Sequence, residues 1–363
     1  MKKRVIVPFF ISHQGCPHQC VFCDQRAITG SNGSLPTAVE LLETIGEWRR
    51  SAHADTVEVA FYGGTFTALP TDFQERLLSP LQPLLRSGEV CSVRVSTRPD
   101  SLDERKVGFL RDFGVDLVEL GIQSMDDTVL AHAGRGHLAV HSEKAFALLR
   151  GAGIRVGAQL MPGLPGDSPT GAVESLKRLL PLRPDLLRIY PAVVFKGTEL
   201  ARLYRAGSYQ PLSIDEAVRI CKVMLQVAAV AGITVIRVGL HPSDDLTASG
   251  QLLAGPYHPA FRQLAEGERW YDLLNLLCTR FAGGEEELDI FVSPVSVSDL
   301  AGQKRINVRR IEAAYPVRLR RMQTDASLGR DDIVIRGMSS TVSANLVSDL
   351  RYNSSMIAIK ECA

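Results

Sequence analysis

Three cysteines stand close together near the start of the 363-residue chain, in Cys16-Pro17-His18-Gln19-Cys20-Val21-Phe22-Cys23. The spacing is C-x3-C-x2-C. Three thiolates can ligate three irons of a [4Fe–4S] cluster, whereas full structural ligation takes four cysteines. An incomplete set leaves one iron open, and an open metal position is where chemistry happens. The alternatives are a zinc site or a set of inert thiols. Zinc sites usually carry two paired C-x2-C or C/H elements. His18 lies inside the loop, but no second C-x2-C pair follows. Cys91, Cys221, Cys278 and Cys362 are scattered and read as core or surface thiols. Phe22 could shield the cluster from water or serve as a core aromatic, and the two are compatible.

Other residues could bind a small ligand. Gly63-Gly64-Thr65 lets the backbone approach a ligand closely, because glycine has no Cβ. Its polar groups could hold an amino-acid moiety, or it could be only a tight strand–helix turn. Gln123 and Ser124 offer neutral donors and acceptors suited to a carboxylate or a ribose, and could equally be polar loop residues. Arg135, between Gly134 and Gly136, could pair with a carboxylate bidentately or lie exposed on the surface. Pro162-Gly163-Leu164-Pro165-Gly166 is a rigid turn first and a cofactor contact second.

These residues need elements to position them. Short apolar, β-branched runs recur at Val5–Ile11, Thr56–Tyr62, Val93–Thr97, Leu117–Ile122, Ile154–Met161 and Leu186–Pro191. Helical patterns fall between them, at 37–50, 71–87, 103–113, 126–131, 142–152 and 169–180. This alternation predicts βαβ units around a parallel sheet, an α/β fold forming an open, partial (β/α)6 barrel. Gly114 and Gly153 are expected just past helix ends, and Thr71 and Ser101 as N-caps. Ser213 and Glu216 form a capping-box pattern opening a helix over 213–231. A seventh strand is expected at Ile233–Val238. The candidate ligand-binding turns lie at the C-terminal ends of strands, where parallel α/β folds build their sites. The cysteine loop follows the first strand and would share that mouth.

Hydrophobic residues make up 45% of the chain, enough for sizeable cores, and the formal net charge is +1. The whole chain is therefore no electrostatic glove for nucleic acid, and any basic patch must be local. The N-terminal Met1–Ile11 resembles a signal peptide briefly. Its apolar run is too short and lacks a small-residue cleavage site, so it reads as a buried first strand. No stretch approaches the ~20 apolar residues of a membrane span. An odd cysteine count argues for a reducing compartment, by default the cytoplasm.

Together the cysteine loop and Gly63-Gly64-Thr65 resemble the radical S-adenosylmethionine (SAM) superfamily. In that superfamily the methionine end of SAM chelates the open iron, and reductive cleavage releases a 5′-deoxyadenosyl radical. The chain also resembles the radical-SAM half of the Elongator catalytic subunit. The matching stretches include Phe61–Phe66, Thr97–Asp100, Val118–Ser124, Arg135-Gly136-His137, Met161–Gly166, Ile189-Tyr190-Pro191 and Lys196–Leu200, in order over roughly residues 5–240. The resemblance implies that Cys16, Cys20 and Cys23 ligate the cluster and that Gly63, Gly64 and Thr65 hold the SAM amino group. It also implies that Gln123, Ser124 and Arg135 contact the ribose and carboxylate. Ser96 and Gln159 stand where related enzymes often carry a glutamate and an acidic residue or histidine. Ser96 can still hydrogen-bond a ribose hydroxyl, while Gln159 cannot do acid–base work. An external electron donor is implied. Elongator's subunit also carries an acetyltransferase domain and modifies the wobble uridine of tRNA. No acetyl-coenzyme-A-type glycine-rich loop follows the barrel here, nor is there the second three-cysteine cluster of methylthiotransferases. The resemblance thus speaks more for the radical chemistry than for the substrate.

The pattern changes after residue 255, dividing the chain into a barrel over 1–255 and a small α+β domain over 256–363. Strands are expected at Leu288–Val292, Val317–Met322 and Ile333–Ile335, with a helix over Ser298–Ala314 broken near Gly302. Between 304 and 321 lie Lys304, Arg305, Arg309, Arg310, Arg318, Arg320 and Arg321 against Glu312 alone, a net +6 in 18 residues. Gly302-Gln303-Lys304-Arg305 resembles the G-x-x-G loop of a KH RNA-binding module, with Arg305 in place of the second glycine. Lys304, Arg305, Arg309 and Arg310 could bind phosphates, or the run could be a solvated helix face. The leading expectation is radical SAM modification of RNA, with tRNA foremost. The alternatives are radical chemistry on a small molecule, as in coproporphyrinogen dehydrogenases, and a non-catalytic iron–sulfur protein that binds RNA or a partner.

Overall fold

The computed structural model describes residues 3–24, 34–241, 250–281, 286–338 and 340–352. Seven parallel strands form one curled sheet: β1 (Arg4–Phe10), β2 (Thr56–Tyr62), β3 (Val90–Thr97), β4 (Val115–Gln123), β5 (Arg155–Leu160), β6 (Leu186–Ile189) and β8 (Val235–Val238). They lie in chain order across the sheet, with a short β7 (Val194–Phe195) outside it. The expected seventh strand is present. Alternate residues face opposite sides of a strand. On the convex side Val7, Val59, Val95, Val118, Val156 and Leu187 join the main apolar core. On the concave side stand Glu58, Arg94, Glu119 and Arg188, whose side chains reach one another across the strands as ion pairs.

Most of the helices cover the convex face, while those at Asp127–His132 and Glu199–Arg205 pack with the cysteine loop. The helices are α1 (Ala38–Ser51), α2 (Thr71–Leu78), α3 (Gln82–Ser87), α4 (Glu104–Asp112), α5 (Asp127–His132), α6 (Ala139–Gly151), α7 (Pro169–Leu179), α8 (Glu199–Arg205) and α9 (Ile214–Val230). The single helix expected over 71–87 is two, joined by a 3-10 turn at Ser79–Leu81. Pro80 and Pro83 supply no backbone N–H and cannot continue a helix from its interior. Two caps also differ from expectation. Thr71 is already helical, behind Pro70. Asp103, not Ser101, caps α4, its carboxylate accepting from the Lys106 N–H at 2.8 Å. Gly114 and Gly153 follow their helices with φ of +75° each, and Ser213 and Glu216 form the expected capping box.

Beyond the barrel, β9 (Leu252–Ala254), which the sequence pattern had not revealed, pairs antiparallel with β7. The long α10 (Phe261–Cys278) bridges two cores. Phe261 and Ala265 belong to the barrel core, and Trp270, Leu273, Leu274 and Leu277 to a second. That second core lies under a four-stranded sheet. Its strands are β10 (Glu286–Val292), β11 (Val317–Thr324), β12 (Asp332–Arg336) and β13 (Thr341–Asn345), in the order β11-β10-β12-β13. Between β10 and β11, which pair in parallel, run α11 (Val297–Ala301) and α12 (Ile306–Ala314). The helix expected over Ser298–Ala314 is therefore broken at Gly302, as the sequence indicates. The last helix, α13 (Leu346–Asp349), packs back on α9 through Gln226, whose Nε2 donates to the carbonyls of Leu346 and Leu350 at 3.0 and 2.8 Å. Among the described residues no helix is long and apolar enough to cross a membrane.

Candidate active site

The cysteine loop leaves β1 at the C-terminal mouth of the sheet and is clamped from three sides. The β2 end holds it first: the His13 N–H donates to the Gly63 carbonyl at 2.9 Å, and the Thr65 N–H to the Gln14 carbonyl at 2.9 Å. Gly64 is seated so closely that a Cβ there would lie 2.5 Å from Gln14 O and 2.6 Å from Ile11 O. The turn after α5 holds it second, with the Val21 N–H donating to the Ala133 carbonyl at 3.1 Å. A Cβ on Gly136 would collide with the His18 ring at 2.5 Å. The start of α8 holds it third, with the Leu200 N–H donating to the Val21 carbonyl at 2.7 Å. Phe22 packs among Val129, Leu164 and Ala192 on one side and Val194 and Leu200 on the other, so it anchors the loop in apolar core.

The thiols meet two of the residues singled out for SAM. Cys16 Sγ lies 3.3 Å from Thr65 Oγ1. Arg135 is buried, not a surface arginine, and its Nη1 donates to Cys20 Sγ at 3.0 Å. Its Nη2 donates to the Gly121 carbonyl, and its own carbonyl accepts from Arg98, which is ion-paired to Asp100. Arg135 Nε is buried with no hydrogen-bond partner, and so are both ring nitrogens of His137. Burial, with the Arg135 cation beside it, lowers the His137 imidazole to about 3, so the ring is neutral at physiological pH. Cys91 is exposed, while Cys221 and Cys278 are buried, and burial pushes the Cys278 thiol up to about 12. All three fit the inert-thiol reading, and Cys362 lies outside the described residues.

Gln123 and Gln159 come together: Gln159 Nε2 donates to Gln123 Oε1 at 3.1 Å. Gln123 ends β4 with φ of +70°, a left-handed conformation that costs a non-glycine residue energy and recurs at functional sites. Ser96 is half-buried beside Glu119 in the β3–β4 register. Ser124 is turned elsewhere. Its hydroxyl lies 3.1 Å from Ser175 Oγ on α7 and accepts from the Asp126 N–H at 3.1 Å, as a polar loop residue would.

Below this mouth the concave face carries a buried ion network that sequence reasoning missed. Arg94 bridges Glu58 and Glu119. Arg188 donates to Glu119 at 3.0 Å, to Tyr62 Oη at 2.9 Å and to Tyr190 Oη at 3.0 Å. The signal was available: polar residues at alternate positions, such as Arg94 and Ser96 or Arg188 and Tyr190, within otherwise apolar strands.

The donor set fits an iron–sulfur cluster. Three thiols sit on one loop, beside one cation with an unspent buried N–H and one threonine hydroxyl. Among the described residues no group of three His, Cys, Asp or Glu side chains is arranged to hold a single metal ion. In the C-terminal unit, Lys304 and Arg305 both take left-handed φ, of +51° and +60°. Arg305 thus adopts a conformation glycine would favour. Lys304, Arg305 and Arg309 are exposed, whereas Arg310 is ion-paired to Glu268 and stacks 3.4 Å over the Tyr271 ring.

Residues 10–179 match the Radical SAM superfamily and residues 184–270 the Radical SAM C-terminal domain. The chain belongs to the radical SAM superfamily of enzymes. Among curated proteins it is 26% identical over 261 residues to a tRNA uridine(34) acetyltransferase of Methanocaldococcus jannaschii, covering 59% of this chain and 47% of that protein. It is also 26% identical over 250 residues to human Elongator complex protein 3, covering 56% of this chain and 46% of that protein. It therefore spans about half the length of these relatives. The solved structure of Methanocaldococcus infernus Elp3 with an N-terminal deletion superposes with a TM-score of 0.59 at 22% identity, covering 77% of this chain and 64% of that one, a likeness of fold.

Proposed function

We propose that this chain holds a [4Fe–4S] cluster on Cys16, Cys20 and Cys23, cleaves SAM reductively, and directs the chemistry onto RNA, with tRNA as the substrate class. The observation that carries this is the cysteine loop itself. It is clamped between the Gly63–Thr65 turn and Arg135 at the mouth of the sheet. When bound, cluster and SAM supply a 5′-deoxyadenosyl radical. Thr65 and Arg135 orient the thiols of Cys16 and Cys20. Gln123, Gln159 and Ser96 offer neutral hydrogen-bonding groups to the adenosyl and methionine moieties. The concave ion network gives a fixed polar floor to the space where a target base would enter.

Two observations favour RNA as substrate. The curated relatives include tRNA uridine(34) acetyltransferases. In addition, the C-terminal β-α-α-β unit places Gly302–Arg305 between two helices, as in a KH module, with exposed cations on and beside that loop.

Anaerobic reconstitution with iron, sulfide, a strong reductant and SAM should yield 5′-deoxyadenosine, and Cys20→Ala should abolish it. No cleavage with or without cellular RNA would overturn the enzymatic reading. Binding to bulk tRNA should weaken steeply with salt. Joint reversal of Lys304, Arg305 and Arg309 to Glu should weaken it by about tenfold or more and flatten the salt dependence. Unchanged tRNA affinity in that variant would remove the C-terminal unit from the RNA site. Mass spectrometry of tRNA nucleosides with and without the protein identifies the modification.

A further inference from the structure

Reductive cleavage needs one electron per event, delivered to the cluster from outside. The geometry points to where it enters: we infer that the surface formed by the cysteine loop and α8 is the docking site for an acidic one-electron carrier protein. This rests on the proposed cluster. A recess of about 420 Å³ lies here, lined by Gln19, Val21, Thr198, Glu199, Arg202 and Arg205. Gln19 and Val21 are the immediate neighbours of Cys20 in the chain. Consecutive Cα atoms are ~3.8 Å apart, so a molecule seated in the recess touches backbone directly attached to a cluster ligand. The opposite wall is tied to the same loop by the Leu200 N–H to Val21 carbonyl bond of 2.7 Å. None of Gly63, Gly64, Thr65, Ser96, Gln123, Arg135 or Gln159 lines it, so the recess is separate from the face that would receive SAM and substrate.

Its charge selects the partner. Arg202 is ion-paired to Glu199, while Arg205 and the adjacent Lys196 are exposed and pair with no carboxylate among the described residues. Lys196, Arg202 and Arg205 stand against Glu199 and Asp24, the Asp24 Oδ2 lying 3.9 Å from the Cβ position of Gly197 in the recess. One net positive charge remains, which would steer an acidic protein and make its approach salt-dependent. In the transfer the carrier loses one electron and the cluster gains it, and no bond is made or broken. The carrier is a flavin- or iron–sulfur-containing protein with a negative surface around its redox group. Within the stretch Lys196-Gly197-Thr198-Glu199-Leu200, which has no other role in the proposed chemistry, Gly197, Thr198 and Glu199 form part of one wall.

The test uses the full chain after reconstitution and a flavodoxin as carrier. Binding is measured by calorimetry over a salt series, and cluster reduction by stopped-flow absorbance with either reduced flavodoxin or dithionite. Lys196→Glu with Arg205→Glu should weaken flavodoxin binding by about tenfold and slow reduction by flavodoxin in proportion, leaving dithionite reduction unchanged. Glu199→Gln should tighten binding. Flavodoxin affinity within twofold of wild type in both variants would overturn the docking site. So would variants that lose tRNA binding but keep flavodoxin binding, since the patch would then serve the substrate. A chain that dithionite cannot reduce would overturn the cluster, and the docking inference with it, whereas normal dithionite reduction with unaltered flavodoxin binding would overturn the docking site alone.

Discussion

Arg135 is held by a sulfur and a carbonyl, with no carboxylate partner among the described residues, so its positive charge sits directly against Cys20. That arrangement favours an anionic ligand set on the cysteine loop. Its glycine neighbours made Arg135 visible in the sequence, and its burial was not visible, because burial depends on the β4 end and the α5 turn closing over it. Asp167 is a second residue whose behaviour follows from placement. It ends the Pro162–Gly166 turn and accepts from the N–H groups of Gly163 and Ser168. Burial nevertheless pushes its carboxyl up to about 6, from an ordinary value near 3.8. A raised carboxyl pKa means the folded state prefers the protonated form. The stabilisation is complete below about pH 4 and is lost as pH rises through about 6, a change of roughly 3 kcal/mol. Chemical denaturation of wild type should show this fall between those pH values, and Asp167→Asn should lose that component of it. An equal slope in both would show that Asp167 is not the titrating group.

Whole elements set the geometry of the mouth. The cysteine loop depends on the close approach of the β2 turn, so Gly64→Ala should displace it. Gly88 is the control. It follows α3 with φ of +77°, and a Cβ there would meet nothing within 4 Å, so Gly88→Ala should cost only the conformational strain of about 1 kcal/mol. Gly64→Ala should lower the melting temperature more and reduce iron retained after reconstitution, whereas Gly88→Ala should keep full iron. Equal iron in both would mean the turn does not shape the loop. On the concave sheet face, Glu119 serves both Arg94 and Arg188. Glu119→Leu leaves Arg188 without a carboxylate and should cost about 3–5 kcal/mol in urea unfolding, partly recovered by adding Arg188→Leu. The strands themselves were legible as apolar runs. Their polar inward residues carried no assignment in the sequence, and strand alternation with the ion pairs among them shows that they line one face. Pro80 and Pro83 divided the helix expected over 71–87, a local rule that outweighed its apolar periodicity.

At the scale of the molecule, α9 and α10 join the barrel to the C-terminal sheet. Gln226 is buried between them, donating to two carbonyls near α13 and accepting from Arg269 Nη2 at 2.6 Å. Gln226→Leu strands those groups and should cost about 2–4 kcal/mol. It should also separate the unfolding of the two cores into distinct transitions by tryptophan fluorescence and far-UV circular dichroism. A single unshifted transition would show that the junction does not rest on Gln226. Chemistry-bearing residue types, the βαβ alternation and the break at Gly302 are local properties, written in spacing, periodicity and turn residues, and the sequence by itself determined them. Tertiary structure decided which of those residues meet. Thr65 reaches Cys16 and Arg135 reaches Cys20, across 49 and 115 residues of chain. Ser124 turns instead to α7, and Arg310 to Glu268. Such pairings depend on strand register and on how closely turns pack, and these emerge only when distant segments share one sheet and one core.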